Sequence, residues 1–151
     1  MNIATILASK GVKVVTVRPE HLIRQALALL AEHNIGALVV VDEADRPVGI
    51  LSERDIVREA ARNEAVFSRS VREIMTRDVI VASPQDDLVS VSHTMTERRI
   101  RHLPIVENQR LVGIVSIGDI VKAQRDRYQG EVDTLQTQIL EGTPEHVQRG
   151  V

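Results

Sequence analysis

The sequence predicts an α/β (α+β) chain made of two pseudo-symmetric copies of one small unit, each a little sheet packed by helices, followed by an extended C-terminal helix. Three observations predict it. Gly49-Ile50-Leu51-Ser52-Glu53-Arg54-Asp55-Ile56-Val57 returns 64 positions later as Gly113-Ile114-Val115-Ser116-Ile117-Gly118-Asp119-Ile120-Val121, with seven of the nine positions matching in kind. A strand closed by proline and followed by an amphipathic stretch also occurs twice, the prolines being Pro19 and Pro84, 65 positions apart. Finally, 151 residues suffice for one compact domain or two half-domains sharing a core, and not for two full-sized domains.

The elements follow in order. Residues 3–8 read as a short helix, and Val14-Val15-Thr16-Val17 as a short buried strand ended by Arg18-Pro19. Ile23, Ala26, Leu27 and Leu30 fall at i, i+3, i+4, i+7 and mark a helix from Leu22 to His33. Ala37-Leu38-Val39-Val40-Val41 is too continuous for a half-exposed strand and is expected to be covered on both faces. A turn over 42–47 leads to the strand Val48–Leu51, and a helix follows from Glu53 to Arg62. In the second copy Val71–Met75 answers the N-terminal helix, and Val79-Ile80-Val81-Ala82 answers the first strand. Leu88, Val91 and Met95 take the places of Ile23, Ala26 and Leu30, and Leu103-Pro104-Ile105-Val106 replaces the central strand. The expected divisions are a first repeat over 1–66, a second over 67–125 and a helical extension over 126–151. In that extension Val132, Leu135, Ile139 and Leu140 form a rough apolar stripe, Gly130 is a candidate break, and Gly142-Thr143-Pro144 is the expected stop.

Composition excludes several classes. With 19 basic and 21 acidic residues the net charge is −2, so no overall basic field favours nucleic acid or an anionic membrane. Cysteine is absent, which removes disulfides, thiol catalysis and cysteine-ligated metals. The five histidines show no metal-ligand spacing, so no metal is expected. Phe67 and Tyr128 are the only aromatics, so a base would sit between aliphatic walls and not in an aromatic stack. There is no leader-like N-terminus and no run long enough to span a membrane, and the expected location is the cytoplasm. No phosphate-binding Gly-Lys loop, dinucleotide turn or serine elbow is present, so no catalytic residue is assigned.

The repeated stretch is a strand running into a helix start, where backbone N–H groups carry partial positive charge. A serine and an aspartate there suit a ribose phosphate, the carboxylate accepting two hydroxyls. The plainer alternative is an N-cap, with Ser52 and Ser116 capping and Asp55 and Asp119 complementing the dipole.

These duplicated Gly-aliphatic-aliphatic-Ser-x-x-Asp stretches, each preceded by a Pro-terminated strand, a helix and an aliphatic strand, resemble a tandem pair of cystathionine-beta-synthase (CBS) domains, a Bateman module. The resemblance covers about residues 3–125 and is closest to small CBS-pair proteins related to the insertion in inosine monophosphate dehydrogenase; that enzyme's catalytic barrel has no counterpart here. It implies a regulatory module, not an enzyme, binding AMP, ATP, NAD(H) or a similar adenine ligand between the repeats, and a homodimer of CBS pairs. By the same resemblance Asp55 and Asp119 are ribose ligands, and Ser52 and Ser116 contact ribose or phosphate. Arg101 and His102 would hold phosphate with help from Arg54 and Arg98. The adenine would lie against Thr16, Val17 and Ala37 in one copy and against Val81, Ala82 and Leu103 in the other. Gly36 and Ala37 stand where Arg101 and His102 stand in the second copy, so the two sites are expected to be unequal. For Arg99 a solvated helix end is the preferred reading. The resulting function is an energy or redox sensor acting on a regulated protein; the alternative is a ligand-independent dimerising scaffold.

Overall fold

The structure, a computed structural model, describes residues 1–11 and 13–142. Met1–Ile117 forms one compact unit and Gly118 onward a second.

In the first unit the initial sheet has the order β1-β2-β3, formed by Thr16–Val17, Ala37–Val41 and Pro47–Ser52. Strands β1 and β2 run parallel with Thr16 opposite Val39, and β2 and β3 are antiparallel with Val39 opposite Ile50. All five β2 residues are buried, as their unbroken apolar character predicts. Helices α2 (Ile23–His33) and α3 (Glu53–Arg62) cover this sheet, contributing Ile23, Ala26, Leu30 and Ile56 to one core with Val17, Leu38, Val40 and Leu51. A 3-10 turn over Glu64–Ser68 and the single-turn helix α4 (Val71–Ile74) complete the link to the second copy. That copy contains α5 (Leu88–Arg98) and the hairpin β4 (His102–Glu107) and β5 (Arg110–Ser116), with Ile105 opposite Gly113.

The first strand expected in the second copy is reduced to one bridge, Ala82 against Ile105. The cause lies across the sheet. The Ala82 N–H donates to the Pro104 carbonyl (3.0 Å) and the Val106 N–H to the Ala82 carbonyl (2.8 Å). The preceding rung would need an N–H from Pro104, which proline lacks. Val39, the counterpart of Pro104, has one, and the first copy keeps a paired strand there.

The copies are joined by exchange of their leading helices. Helix α1 (Ile3–Lys10) belongs by sequence to the first copy, yet Ile3 N–H donates to the Asp86 carbonyl (3.0 Å) and Ala4 N–H to the Pro84 carbonyl (2.8 Å). Helix α4 does the converse: Val71 N–H donates to the His21 carbonyl (2.8 Å) and Arg72 N–H to the Pro19 carbonyl (2.9 Å). Val71 accordingly lies in the first copy's core, with Ile74 and Met75 packed against it, so packing crosses the expected division at 66/67. The exchange also explains the repeated glycines. A Cβ on Gly113 of β5 would stand 2.6 Å from Leu7 Cδ2 of α1, and one on Gly49 of β3 would collide with Met75, the residue that follows α4. Each motif begins with glycine because the other copy's leading segment lies on its strand.

The second unit is dominated by α6, which runs unbroken from Ile117 to Gly142. Gly130 does not break it. Intrahelical side-chain pairs span that position, Arg127 with Glu131 (3.3 Å) and Gln129 with Asp133 (2.9 Å). The expected stop at Thr143-Pro144 lies outside the described residues.

Candidate functional site

Residue Ser52 ends β3 and caps α3. Its Oγ accepts from the Asp55 N–H (3.2 Å), while the Ser52 N–H donates to Asp55 Oδ2 (2.9 Å), a reciprocal capping box. The N-cap alternative is therefore real for Ser52 and Asp55. It does not exhaust the carboxylate, because Oδ1 has no hydrogen bond to any described residue. The first N–H of the helix, from Glu53, is taken by the Gly36 carbonyl (3.0 Å). In the second copy the Ile117 N–H donates to the Arg101 carbonyl (2.9 Å), the same bond by duplication.

Asp55 opens onto a cavity of about 400 Å³, within the range of small-ligand sites. It is lined by Gly36, Ile50 and Ser52, by Thr76 and Asp78–Ile80, and by the segment Arg99–His102. Thr76 is fixed to Ile50 by hydrogen bonds in both directions, at 2.8 and 3.0 Å. The His102 ring stands 3.9 Å from where a Gly36 Cβ would be, so the two equivalent loops of the duplicate meet here. Four arginines line the cavity, Arg54, Arg58, Arg99 and Arg101, against three carboxylates, Glu53, Asp55 and Asp78. None of the four guanidinium groups pairs with a described carboxylate. Four exposed cations against three carboxylates make this wall locally basic on a net acidic chain.

Arg99 has φ +55°, a left-handed conformation, and closes α5 as Asn34 (φ +51°) closes α2. Asparagine tolerates that region; arginine adopts it at a cost of about 1 kcal/mol. The outcome is an arginine at the cavity wall where the first copy has a short amide.

Of the residues singled out by sequence, Ser52, Arg54, Asp55, Arg101 and His102 share this cavity. Arg98 is not among the residues lining it. Arg58, Arg99 and Thr76–Ile80 were not anticipated, and the only local hint was that Arg58 follows Arg54 by one helical turn. The adenine-pocket residues lie elsewhere. Thr16 lines a separate, largely apolar cavity of about 720 Å³ with Leu7, Val14 and Leu111. Val17, Ala37 and Leu103 are core residues with little surface to offer a ligand. Val81, Ala82 and Leu103 border a third cavity of about 320 Å³ beside α5. Thr16 and Val81 keep surface but face these other cavities, whereas Ala37 belongs to a strand buried at every position. In the second copy β5 ends at Ser116 and α6 starts at Ile117, repeating the junction of β3 and α3; Asp119 lies in the first turn of α6, in the second unit. No cluster of candidate metal ligands occurs among the described residues, and no described helix is long and apolar enough to cross a membrane.

Comparison with known proteins places this geometry. The family model described as the CBS domain matches twice, at residues 7–62 and 71–126. A 33.4 kDa protein of the ribosomal RNA operon of Thermofilum pendens is 46% identical over 99 residues, 66% of this chain and 32% of the relative, so the chain matches only about a third of that protein. The CBS-domain protein ATU1752 of Agrobacterium tumefaciens superposes with TM-score 0.78 at 40% identity, covering 82% of this chain and 99% of that one. The CBS domain pair of protein MJ0100, solved with 5-methylthioadenosine and S-adenosyl-L-methionine, superposes with TM-score 0.74 at 30% identity, covering 84% and 98%. With two family matches that span most of the sequence and a duplicated sheet-and-helix unit that superposes on solved CBS pairs, this chain belongs to the CBS-domain family as a tandem pair.

Proposed function

We propose that the module is a non-catalytic sensor that binds an adenine nucleotide, AMP, ATP or NAD(H), in the cavity beside Asp55 and passes its occupancy to a regulated protein. One observation carries the reading: a carboxylate with an open oxygen and four arginines free of carboxylate partners share a single cavity of nucleoside size. Asp55 Oδ1 accepts the ribose hydroxyls, Ile50, Val79, Ile80 and Ile100 supply the aliphatic wall for the base, and Arg101 with Arg54, Arg58 and Arg99 holds phosphate. The adenosine ligands of the MJ0100 pair support the ligand class, and the arginines favour a phosphorylated member of it. Signalling requires that the ligand prefer one arrangement of the module over another. The exchanged helices supply a route for that preference, because Thr76 on the cavity wall directly follows Met75, which packs on Gly49.

The test is mass spectrometry of small molecules released from the denatured, purified protein, followed by calorimetry with AMP, ATP, NADH and S-adenosylmethionine. Saturable heats for a phosphorylated ligand, weakened at least tenfold by Arg101→Gln, are expected. Absence of heat with every ligand overturns the proposal and leaves the scaffold alternative.

A further inference from the structure

The cavity of about 720 Å³ bordered by Thr16 plays no part in the nucleotide reading, and its charge is opposite to that of the Asp55 cavity. Leu7 and Ala8 of α1, Val14 and Val41 of the first copy, and Leu111 and Val112 of the second give it largely aliphatic walls. Among the described residues its polar side chains are Thr16, Asp45 and Glu107, and no lysine, arginine or histidine lines it. One carboxylate comes from each copy. The Leu111 N–H donates to the Asp45 carbonyl (3.1 Å), which holds the first copy's turn against the second copy's hairpin. Both carboxylates are exposed, and neither has a hydrogen bond or ion pair to a described residue. Cations on the same elements are not their partners. Arg46 pairs with Asp42 (2.9 Å), Lys10 donates to the Ile114 carbonyl (2.9 Å), and Arg110, opposite Glu107 in the register of β4 and β5, makes no ion pair with it.

We infer that this cavity binds an aliphatic primary amine, its chain on the wall of Leu7, Val14 and Leu111 and its ammonium group on the carboxylates of Asp45 and Glu107. Charge and shape set the class. Two carboxylates with no cation between them repel a phosphate or a fatty acid, so the nucleotide of the Asp55 cavity does not belong here. A metal ion or a short polar cation would leave the aliphatic walls wet, whereas a hydrocarbon chain gains about 25 cal/mol for each Å² it covers. No aromatic side chain lines the cavity, which denies a quaternary ammonium its usual cage. A primary ammonium carries three donors for acceptors that can only accept. The Thr16 hydroxyl, half-buried and without a hydrogen bond to a described residue, adds one more acceptor within the wall. A free alkylamine and a lysine set among aliphatic residues of another protein share this chemistry.

Full-length protein is titrated with n-hexylamine, n-hexanol and n-hexanoate, and the methyl resonances of Leu7, Val14, Leu111 and Val112 are followed by NMR. The expected result is saturable shifts of these methyls with hexylamine, at an affinity about fivefold above that for hexanol, and no shifts with hexanoate. The preference for the amine should shrink in about 1 M sodium chloride, where exposed charges are screened. It should vanish in Asp45→Asn/Glu107→Gln, with hexylamine then binding no better than hexanol. Asparagine tolerates the left-handed backbone of Asp45 (φ +60°), and circular dichroism confirms the fold of the variant. An acetylated leucine-lysine-leucine amide separates the two sources: tighter binding than hexylamine assigns the site to a lysine of a partner protein, and weaker binding assigns it to a free amine. Absence of shifts at these methyls with hexylamine, equal affinity for hexanol, or a preference that survives the double substitution overturns the inference. Competition between AMP and hexylamine for the same methyls does so too.

Discussion

Gly113→Ala tests the exchange of leading helices. The new Cβ would stand 2.6 Å from Leu7 Cδ2, whereas carbon atoms rest about 3.5–4.0 Å apart, so the Leu7 side chain must withdraw by about 1 Å. Leu7 is 6% exposed, but the clash is with the end of its side chain, which also borders the 720 Å³ cavity, so overpacking costs about 1–2 kcal/mol, the lower part of the usual range. Replacing glycine inside a strand returns about 0.5–1 kcal/mol of backbone entropy, leaving a net loss of about 0.5–1 kcal/mol. Leu7→Ala alone should cost about 2–5 kcal/mol as a cavity mutation. In that background the added methyl enters the vacated space, so Gly113→Ala becomes neutral or mildly stabilising. The coupling in the double-mutant cycle is then about 1–2 kcal/mol. Urea unfolding with linear extrapolation measures all four proteins, provided the slopes agree. Additivity within about 0.5 kcal/mol would mean that α1 does not lie on β5, and the account of the repeated glycines would fail.

Asp55→Asn should retain the cap, because its amide oxygen can still accept from the Ser52 N–H, and so leave the melting temperature nearly unchanged. It should weaken nucleotide binding about tenfold or more through loss of a charge-assisted acceptor; equal affinity in calorimetry contradicts the ribose role. Asp55→Ala should in addition lose about 1 kcal/mol of stability in urea unfolding, and an unchanged midpoint would show the capping box to be inert. Arg101→Gln should lower affinity for AMP and ATP about tenfold while sparing methylthioadenosine, and a parallel loss for the uncharged nucleoside would remove Arg101 from the phosphate. Gly130→Ala should stabilise α6 by about 1 kcal/mol, seen as roughly fivefold slower amide exchange around it; faster exchange would show that the glycine serves a close approach.

Local patterns reached most of the fold. Helix Glu53–Arg62 was legible from Ser52 and Asp55 at its start, and β2 from five consecutive aliphatics. What escaped was non-local. The lost strand before Ala82 depends on a proline in the neighbouring strand, and the helix exchange depends on which copy's surface is open to α1. Gly130 illustrates the opposite limit, since a weak local breaker is overruled by pairs that bridge it. In the site, Ser52, Arg54, Asp55, Arg101 and His102 were legible through the motif, while Thr76–Ile80 reach the cavity through hydrogen bonds with Ile50 that no periodicity encodes.

Departures from duplication gather at the cavity beside Asp55. Positions that hold the architecture are the same in both copies: Gly49 and Gly113 under the exchanged segments, Ser52 and Ser116 at the strand ends, and the Gly36 and Arg101 carbonyls on the first helical N–H. The side chains differ at Asn34 and Arg99, Gly36 and Arg101, and Ala37 and His102. All three second-copy residues line the cavity of the first copy's Asp55, and Gly36 meets the His102 ring there. Gly36 leaves room, and charge comes from both copies, Arg54 and Arg58 from the first and Arg99 and Arg101 from the second. A duplicate that needed only to fold would gain nothing from placing Arg99 in a left-handed conformation that asparagine fills at lower cost. On the proposed reading, an anion bound by the Arg99 guanidinium at the cavity wall would offset that local strain.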